Sequence, residues 1–433
     1  MKIRKGDRMN EILNQILNQI ELPKIVKVKQ TFTRPKLYDI EKEIIEKILE
    51  QKVLEKIRKG SKIAITGGSR GISNYQTIIR VIVSIVKEYG GEPFIVPAMG
   101  SHGGGTGEGQ RKILANLGIT EELIGAPVIS SAETVEVGIS DKGLPVYVDK
   151  YAYEADGIIL LNRVKLHTSF RGKYESGLVK MIAIGLGKRK GADITHSLRF
   201  ENMAENIVSM AKVSLDKLNI LFGVATIENG YDETAEIHIV RKEEIMEIEP
   251  QLLERSKELM SKIYLEKIDV LIVKELGKNI SGTGMDTNII GRYHTKAASG
   301  GPDVKKLGVL DLTDKSDGNA NGMGLADYTT KKLYDKINFP ATYLNVITST
   351  EPNSVKLPMV MDNDKLVLQV AVKACGIRDA KKIKLVIIEN TKHLDEIYIS
   401  EYAMEEVKKY KNVEILGSPK EIKFDENMNL EVF

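Results

Sequence analysis

The sequence predicts an α/β protein of two α/β domains, each on a mostly parallel sheet, with an interdomain active-site cleft. Three observations carry that expectation. The chain has 433 residues, more than a single core ordinarily serves. Short apolar runs such as Lys62–Thr66, Gly157–Leu161 and Val270–Val273 alternate with segments whose apolar residues recur at helical spacing. Several of those runs end in polar, glycine-rich loops, and α/β sheets take their ligands beyond the carboxyl ends of strands.

In chain order, Asp39–Ile57 places Ile40, Ile44, Ile45, Ile48 and Leu49 at helical spacing among Glu and Lys, so an amphipathic helix is expected. Lys62–Thr66 is a strand, Asn74–Tyr89 a helix and Pro93–Ala98 the next strand, an order that predicts parallel pairing. Thr134–Asp149 holds two short β patterns around Lys142-Gly143, and Ala155–Leu161 is a further strand. Phe200–Leu218 reads as a helix, and Ile220–Ile227 and Ala235–Val240 as strands, the latter with a structural His238. Arg241–Ile263 is a long amphipathic helix, the expected bridge between an N-terminal domain, 1–265, and a C-terminal one, 266–433. The second domain is expected to use strands at Val270–Val273, Leu307–Leu312, Tyr343–Ile347 and Ile383–Ile388, with a helix at Asp364–Ala374.

Composition removes several classes of function. Hydrophobic content of 42% with 28% charge is that of an ordinary globular protein, and a net charge of +3 leaves no nucleic-acid footprint. The start, MKIRKGDRMNEILNQILNQIELP, is charged and then amphipathic without the apolar core of a signal peptide. No apolar run is long enough to span a membrane, so a cytoplasmic location is expected. The lone Cys375 excludes an intrachain disulfide and any four-cysteine metal site.

The chemistry concentrates in loops. Asn162–His196 reads NRVKLHTSFRGKYESGLVKMIAIGLGKRKGADITH, in which basic residues far outnumber Glu175 and Asp193; the excess points to an anionic ligand, phosphate or carboxylate. Two of the six histidines, His167 and His196, bracket it, with Lys180 between them. The loop GGSRG after the first strand of this region resembles the opening of a short-chain dehydrogenase, yet Ser73 stands where that family has a further glycine. No Tyr-x-x-x-Lys pair follows at a suitable distance, so the loop is read as presenting Arg70 to an anion. The loop from Pro97 to Gln110, with His102 among Gly100, Gly103, Gly104, Gly105, Gly107 and Gly109, spends more glycines than a tight turn needs and suggests close approach to a ligand. A third polar loop, Asn279–Arg292, follows the Val270 strand. Three histidines on separate loops leave a three-histidine zinc hydrolase open, although no compact metal-ligand spacing occurs.

Taken together these motifs resemble the nickel-dependent lactate racemase family. The likeness rests on Arg70 after the first strand, His102 in GSHGGG, His167 in NRVKLH, Lys180 and His196 in SGLVKMIAIGLGKRKGADITH, and Glu275–Lys278. It implies a racemase or epimerase of 2-hydroxy acids that uses nickel within a nickel-pincer nucleotide, bound covalently to Lys180 in the first domain. His196 would then be a nickel ligand, and Gly103, Gly104, Ser176 and Lys188 would complete the cofactor's surroundings. His102 and His167 would be paired acid/bases, with Arg70 and Lys278 holding the substrate. The chemistry accounts for such a set. The α-hydrogen of an unactivated 2-hydroxy acid is very weakly acidic, whereas its removal as hydride leaves a planar 2-keto acid, provided a base takes the hydroxyl proton. Two histidines suit the two enantiomers, and cationic side chains fix the carboxylate.

Two departures from the lactate enzymes bear on the substrate. Glu275 stands where a neutral amide is expected, and the loop SGTGMDTNIIGR differs in its polar residues. Asp286, Asn288 and Arg292, with Glu275, are therefore the expected readers of a 2-hydroxy acid larger or more polar than lactate. The expected partners are that small molecule, no nucleic acid and no membrane, with a homodimer left open. The competing class is a non-catalytic protein that holds the cofactor or a phosphorylated ligand, and a nicotinamide dehydrogenase stands third.

Overall fold

A computed structural model describes residues 5–197 and 199–432. Met1 to Arg4 of the amphipathic start lie outside the described residues. The chain divides into two compact units: an N-terminal unit of residues 33–260 with 348–350, and a C-terminal unit formed by the chain up to Phe32, Ser261–Ile347 and the chain from Glu351 on. A first domain of 1–265 thus differs from the observed unit at its start. The reason is β1 (Ile25–Gln30), whose partners lie at the far end of the sequence, beyond the reach of any local pattern.

The N-terminal unit is built on β2 (Lys62–Gly67), β3 (Glu92–Pro97), β6 (Gly157–Arg163), β7 (Ile220–Glu228) and β8 (Thr234–Arg241), with a separate hairpin of β4 (Thr134–Ile139) and β5 (Pro145–Asp149). The sheet order is β3-β2-β6-β7-β8. The first four strands run parallel and β8 antiparallel. Their central residues are buried on both faces, as apolar runs in covered parallel sheets should be. Helices Ile40–Gln51 and Tyr75–Glu88 close one side of the core through Ile44, Ile48, Ile78, Ile79 and Ile82. The first begins where the Asp39 carboxylate accepts from the Lys42 N–H at 3.0 Å. Parallel strands put the ends of β2, β3 and β6, and hence the loops of Arg70, His102 and His167, at one edge of the sheet.

The C-terminal unit holds β9 (Lys267–Leu276), β10 (Asp303–Leu312), β11 (Tyr328–Thr330), β12 (Met359–Met361), β13 (Leu385–Ile388), β14 (Glu396–Ser400) and β15 (Val413–Lys420). With β1 they form one sheet in the order β12-β11-β10-β9-β13-β14-β1-β15. From β12 to β13 the strands are parallel, and β14, β1 and β15 add an antiparallel edge. Helix Asp364–Ala374 covers the parallel part, beginning at the Asn363 side chain, which accepts from the Leu366 N–H.

One expected strand is a helix. Tyr343–Ile347 lies inside helix Phe339–Ser349. A short apolar run fits either element, and the deciding signal precedes it: the Asn338 carboxamide accepts from the Ala341 N–H at 3.1 Å, with Pro340 in the first turn. None of the described helices is long and apolar enough to cross a membrane.

Candidate active site

Arg70 follows β2 in a loop pinned at both ends. The Gly68 N–H donates to the Tyr75 hydroxyl at 2.7 Å, and the Ser73 N–H to Glu228 at 2.7 Å. Glu228 also pairs with Arg163, at the end of β6. Arg70 itself makes no hydrogen bond or ion pair among the described residues. It is half-buried, and burial first, then the nearby Arg163 charge, lower its pKa. Two guanidinium groups so close, with one of them unbalanced, favour an anion.

The strand β6 leads into a loop closed on itself, where Lys165 and Ser176 exchange backbone hydrogen bonds of 3.0 and 3.2 Å. Ser176, expected beside the cofactor, contributes this closure through its main chain. Inside the loop sits the buried Glu175 carboxylate. It accepts from the His167 N–H at 2.6 Å and the Gly172 N–H at 3.3 Å, and pairs with Arg171 at 3.5 Å. Burial raises the pKa of Glu175 against the pull of those donors. The His167 ring packs tilted against Phe170 with centroids 4.4 Å apart, and the Lys180 ammonium position lies 5.8 Å from the same Phe170 ring.

Lys180 closes a short helical turn, Leu178–Lys180, and is followed by a π-helical turn, Met181–Gly185, with the Leu186 N–H reaching back to the Met181 carbonyl at 2.9 Å. Single π turns inside helices recur at functional sites. Lys180 has no hydrogen-bond or ion-pair partner among the described residues. It is half-buried, and burial, followed by the Arg70 charge, brings its pKa down to about 7. Its amine is therefore substantially neutral and nucleophilic at physiological pH. His196, on helix Lys188–Ser197, feels the Lys180 charge too; burial chiefly, then that charge, lowers its pKa to about 4. Its Nδ1 is buried with no hydrogen-bond partner among the described residues, and Phe200 packs edge-on at 5.5 Å.

The His102 loop leans on this segment. The Gly100 N–H donates to the Gly185 carbonyl at 3.2 Å, and a side chain at Gly105 would strike Arg189. His102 is exposed, with Nδ1 2.7 Å from the Met99 carbonyl. Gly103 and Gly104 both have left-handed backbones, φ 65° and 68°, for different reasons. A Cβ on Gly103 would come within 2.5 Å of Gly109, so its bareness serves the loop's own packing, whereas Gly104 faces open space.

Lys188 departs from its expected place beside the cofactor. It is buried, and its ammonium donates to the Pro97 carbonyl at 2.5 Å and the Gln110 carboxamide at 3.1 Å while pairing with Asp149 at 2.8 Å. Three donors with three partners leave nothing for a ligand. Gln110 in turn donates to the Gly100 carbonyl at 2.8 Å and the His102 carbonyl at 3.3 Å, so Lys188 clips the His102 loop to the helix of His196.

In the C-terminal unit, the Lys278 ammonium donates to the Gly282 carbonyl at 2.6 Å and its N–H to Ser316 at 2.9 Å. Glu275 lies half-buried in β9. Asp286 caps the turn Thr287–Ile290, accepting from the Asn288 N–H at 3.0 Å and its carboxamide at 2.8 Å. Arg292 departs from the expected substrate-reading role. Its guanidinium pairs with Asp327 at 2.8 Å and donates to the carbonyls of Val304, Lys305 and Leu325, which consumes its donor face within the fold. The three-histidine zinc site does not form either, since no group of three His, Cys, Asp or Glu that could hold a metal comes together among the described residues.

Glu249 escaped sequence reasoning. From helix Ile245–Leu259 it accepts from the Val179 N–H at 2.9 Å and from the Leu178 N–H, capping the turn that ends in Lys180, and burial lifts its pKa to about 7. The available signal was its helical spacing with the apolar Ile245, Leu252 and Leu253 on the buried face.

Loops from the carboxyl ends of parallel strands, with the helical turns that follow them, carry Arg70, His102, His167, Lys180 and His196 in one α/β unit. Residues 13–207 match the family model of the lactate racemase N-terminal domain. The match includes Arg70, His102, His167, Lys180 and His196. Among solved structures the chain is similar to the lactate racemase apoprotein from Thermoanaerobacterium thermosaccharolyticum, with 11% identity, 85% of this chain and 98% of that chain covered, and a TM-score of 0.49. No curated protein matches the chain.

Proposed function

We propose that the protein is a racemase or epimerase of a 2-hydroxy acid that carries a nickel-pincer nucleotide on Lys180. The observation that carries this reading is Lys180 itself, an amine with neither hydrogen bond nor ion pair among the described residues, its pKa brought to about 7. A structural lysine at such depth would be expected to have found a carboxylate, as Lys188 did. The surroundings fit the group: Lys180 offers a neutral amine for a covalent link, His196 a neutral ring with an orphaned Nδ1 for nickel, and Arg70 an unbalanced charge for an anion. When bound, the nucleotide supplies a reversible hydride acceptor.

The chain's own residues do the rest. Arg70 holds the carboxylate and so fixes the α-carbon. His102 and His167 meet the substrate's hydroxyl group. Intact mass and peptide mapping of protein co-produced with a nickel-pincer synthesis system test the proposal. A nickel-bearing adduct on the Lys180 peptide is expected; an unmodified Lys180, beside a control racemase loaded in the same cells, overturns it.

A further inference from the structure

Lys180 makes no hydrogen bond or ion pair among the described residues, so nothing at the far end of its side chain holds it in place. Its direction has to come from its root, the turn Leu178–Lys180. That turn begins at the peptide unit joining Gly177 to Leu178, and both polar ends of the unit are held from outside. The Gly177 carbonyl accepts from the Asn162 carboxamide of β6 at 2.7 Å. The Leu178 N–H donates to the Glu249 carboxylate, whose Oε2 also accepts from the Val179 N–H at 2.9 Å. A peptide unit is planar, so a grip on its oxygen and on its hydrogen fixes the rotation of the whole plane.

Two observations mark Glu249 as more than filling for the core. Its side chain is 1% exposed, no cation pairs with it among the described residues, and its Oε1 has no hydrogen-bond partner there. A carboxylate buried on those terms is costly, and the side-chain bonds it does make go to this one turn. The second observation is Gly177. Its backbone is extended, φ 174°, a conformation open to any residue, yet a Cβ there would lie 2.4 Å from Oε1 of Glu249. Gly177 is bare because the carboxylate needs the space. The charges that act on the Lys180 amine are those of Arg70 and Glu175, so Glu249 reaches it through the main chain.

We propose that Glu249 is a positioning residue for Lys180: with Asn162 it fixes the Gly177–Leu178 peptide and so keeps an otherwise untethered amine in the half-buried surroundings where it would take the cofactor. This rests on the function proposed above for what Lys180 receives, and on the hydrogen bonds alone for how Lys180 is held.

Trace acylation of the full-length, cofactor-free protein over a range of pH, with peptide mapping, reads the midpoint of Lys180 reactivity relative to its own plateau. Melting curves of the same samples report the fold. In the unsubstituted protein the midpoint is expected at about 7. Glu249→Ala frees the turn and lets water reach the amine, so the midpoint should rise by about one pH unit or more and labelling at neutral pH should slow about tenfold. Gly177→Ala leaves Glu249 in the chain but pushes its carboxylate off the turn, and should move the midpoint the same way. It also serves should Glu249→Ala not fold. The double variant should move it no further than Glu249→Ala alone. Glu249→Gln keeps an oxygen for the Val179 N–H and should restore the midpoint. A lowered Tm with an unmoved midpoint would reduce Glu249 to a plain cap and overturn the proposal. Equal shifts in Glu249→Gln and Glu249→Ala would overturn it too, by placing the effect on charge. The labelling needs neither cofactor nor substrate, so a Lys180 left unmodified beside the nickel-pincer synthesis system would sink the proposed function and leave this result standing.

Discussion

Lys180 and Glu249 stand within one turn of each other's contacts and are both shifted toward neutrality, with opposite consequences for stability. Lys180 falls from 10.5 to about 7. Between those values the unfolded chain holds a proton that the folded chain has released, so the group's contribution favours folding more as pH rises through that window and is least favourable below it. Lys180→Met is therefore expected to raise Tm below pH ~7 and to lose that advantage toward pH ~10; melting curves at both ends check it. The same neutral amine should be the first lysine to react with an acylating reagent at neutral pH, read by peptide mapping. Uniform labelling of the lysines would contradict the assigned environment. Glu249 rises from 4.5 to about 7. Here the folded chain holds the extra proton, so stability from this group is present below the lower value and is lost as pH climbs to the upper one. Glu249→Gln should flatten the pH dependence of Tm across that window. Lys180, His196 and His102 were legible in the sequence because each sits in a motif whose neighbours are adjacent along the chain. Glu249 was not, since its partners Leu178 and Val179 lie some seventy positions earlier and only packing brings them together.

At the scale of elements, the linkage between the His102 loop and helix Lys188–Ser197 rests on one buried cation. Lys188→Met leaves the Asp149 carboxylate buried without its charge partner, and a loss of about 3–5 kcal/mol is expected from urea unfolding. Lys188→Met combined with Asp149→Asn should recover part of it, and a double-variant loss equal to the sum of the two single-variant losses would show the pair to be uncoupled. Loop glycines give a sharper contrast. Gly104→Ala adds a methyl group to open space at φ 68° and should cost roughly 1–2 kcal/mol for the left-handed backbone alone. Gly103→Ala has the same backbone problem and a collision with Gly109, so it should cost distinctly more. In the sequence these glycines suggest close approach to a ligand. For Gly103 what approaches is the loop's own return. Lys188 misled for a related reason: a basic residue in a basic stretch looks ready for an anionic ligand, and the Asp149 that pairs with it comes from the end of β5. Tyr343–Ile347 shows the limit of apolar runs, where an Asn cap outweighed β-branched content.

The whole molecule is two folding problems with unequal sequence locality. Residues 33–260 contain the strands of their sheet and the proposed site, so the fragment is expected to fold alone and keep the reactive Lys180. The fragment beginning at Ser261 lacks β1, which separates β14 from β15, and should leave β15 exchanging amide hydrogen rapidly until a peptide covering residues up to Phe32 is supplied. Hydrogen exchange on both fragments checks the pair of expectations. Alternation of strands and helices was enough to read the parallel cores, because each βα unit is contiguous. The antiparallel edge of β14, β1 and β15 was not readable, since antiparallel neighbours carry no signature of which distant strand they join.

That edge also sets an order of events during synthesis. Lys29 pairs with Glu396, so β1 leaves the ribosome long before its partners exist. At about 5–20 residues per second the interval is on the order of tens of seconds. Throughout it the chain carries a strand with both edges open, the state most prone to joining a strand of another molecule. The sequence of that strand, IVKVKQ, interrupts its valines with Lys27 and Lys29. Those charges repel a second nascent copy while the strand waits. Once β14 arrives, Lys27 puts the same charge to use, pairing with Glu396 at 2.6 Å. A guard during translation thus becomes a clasp afterwards.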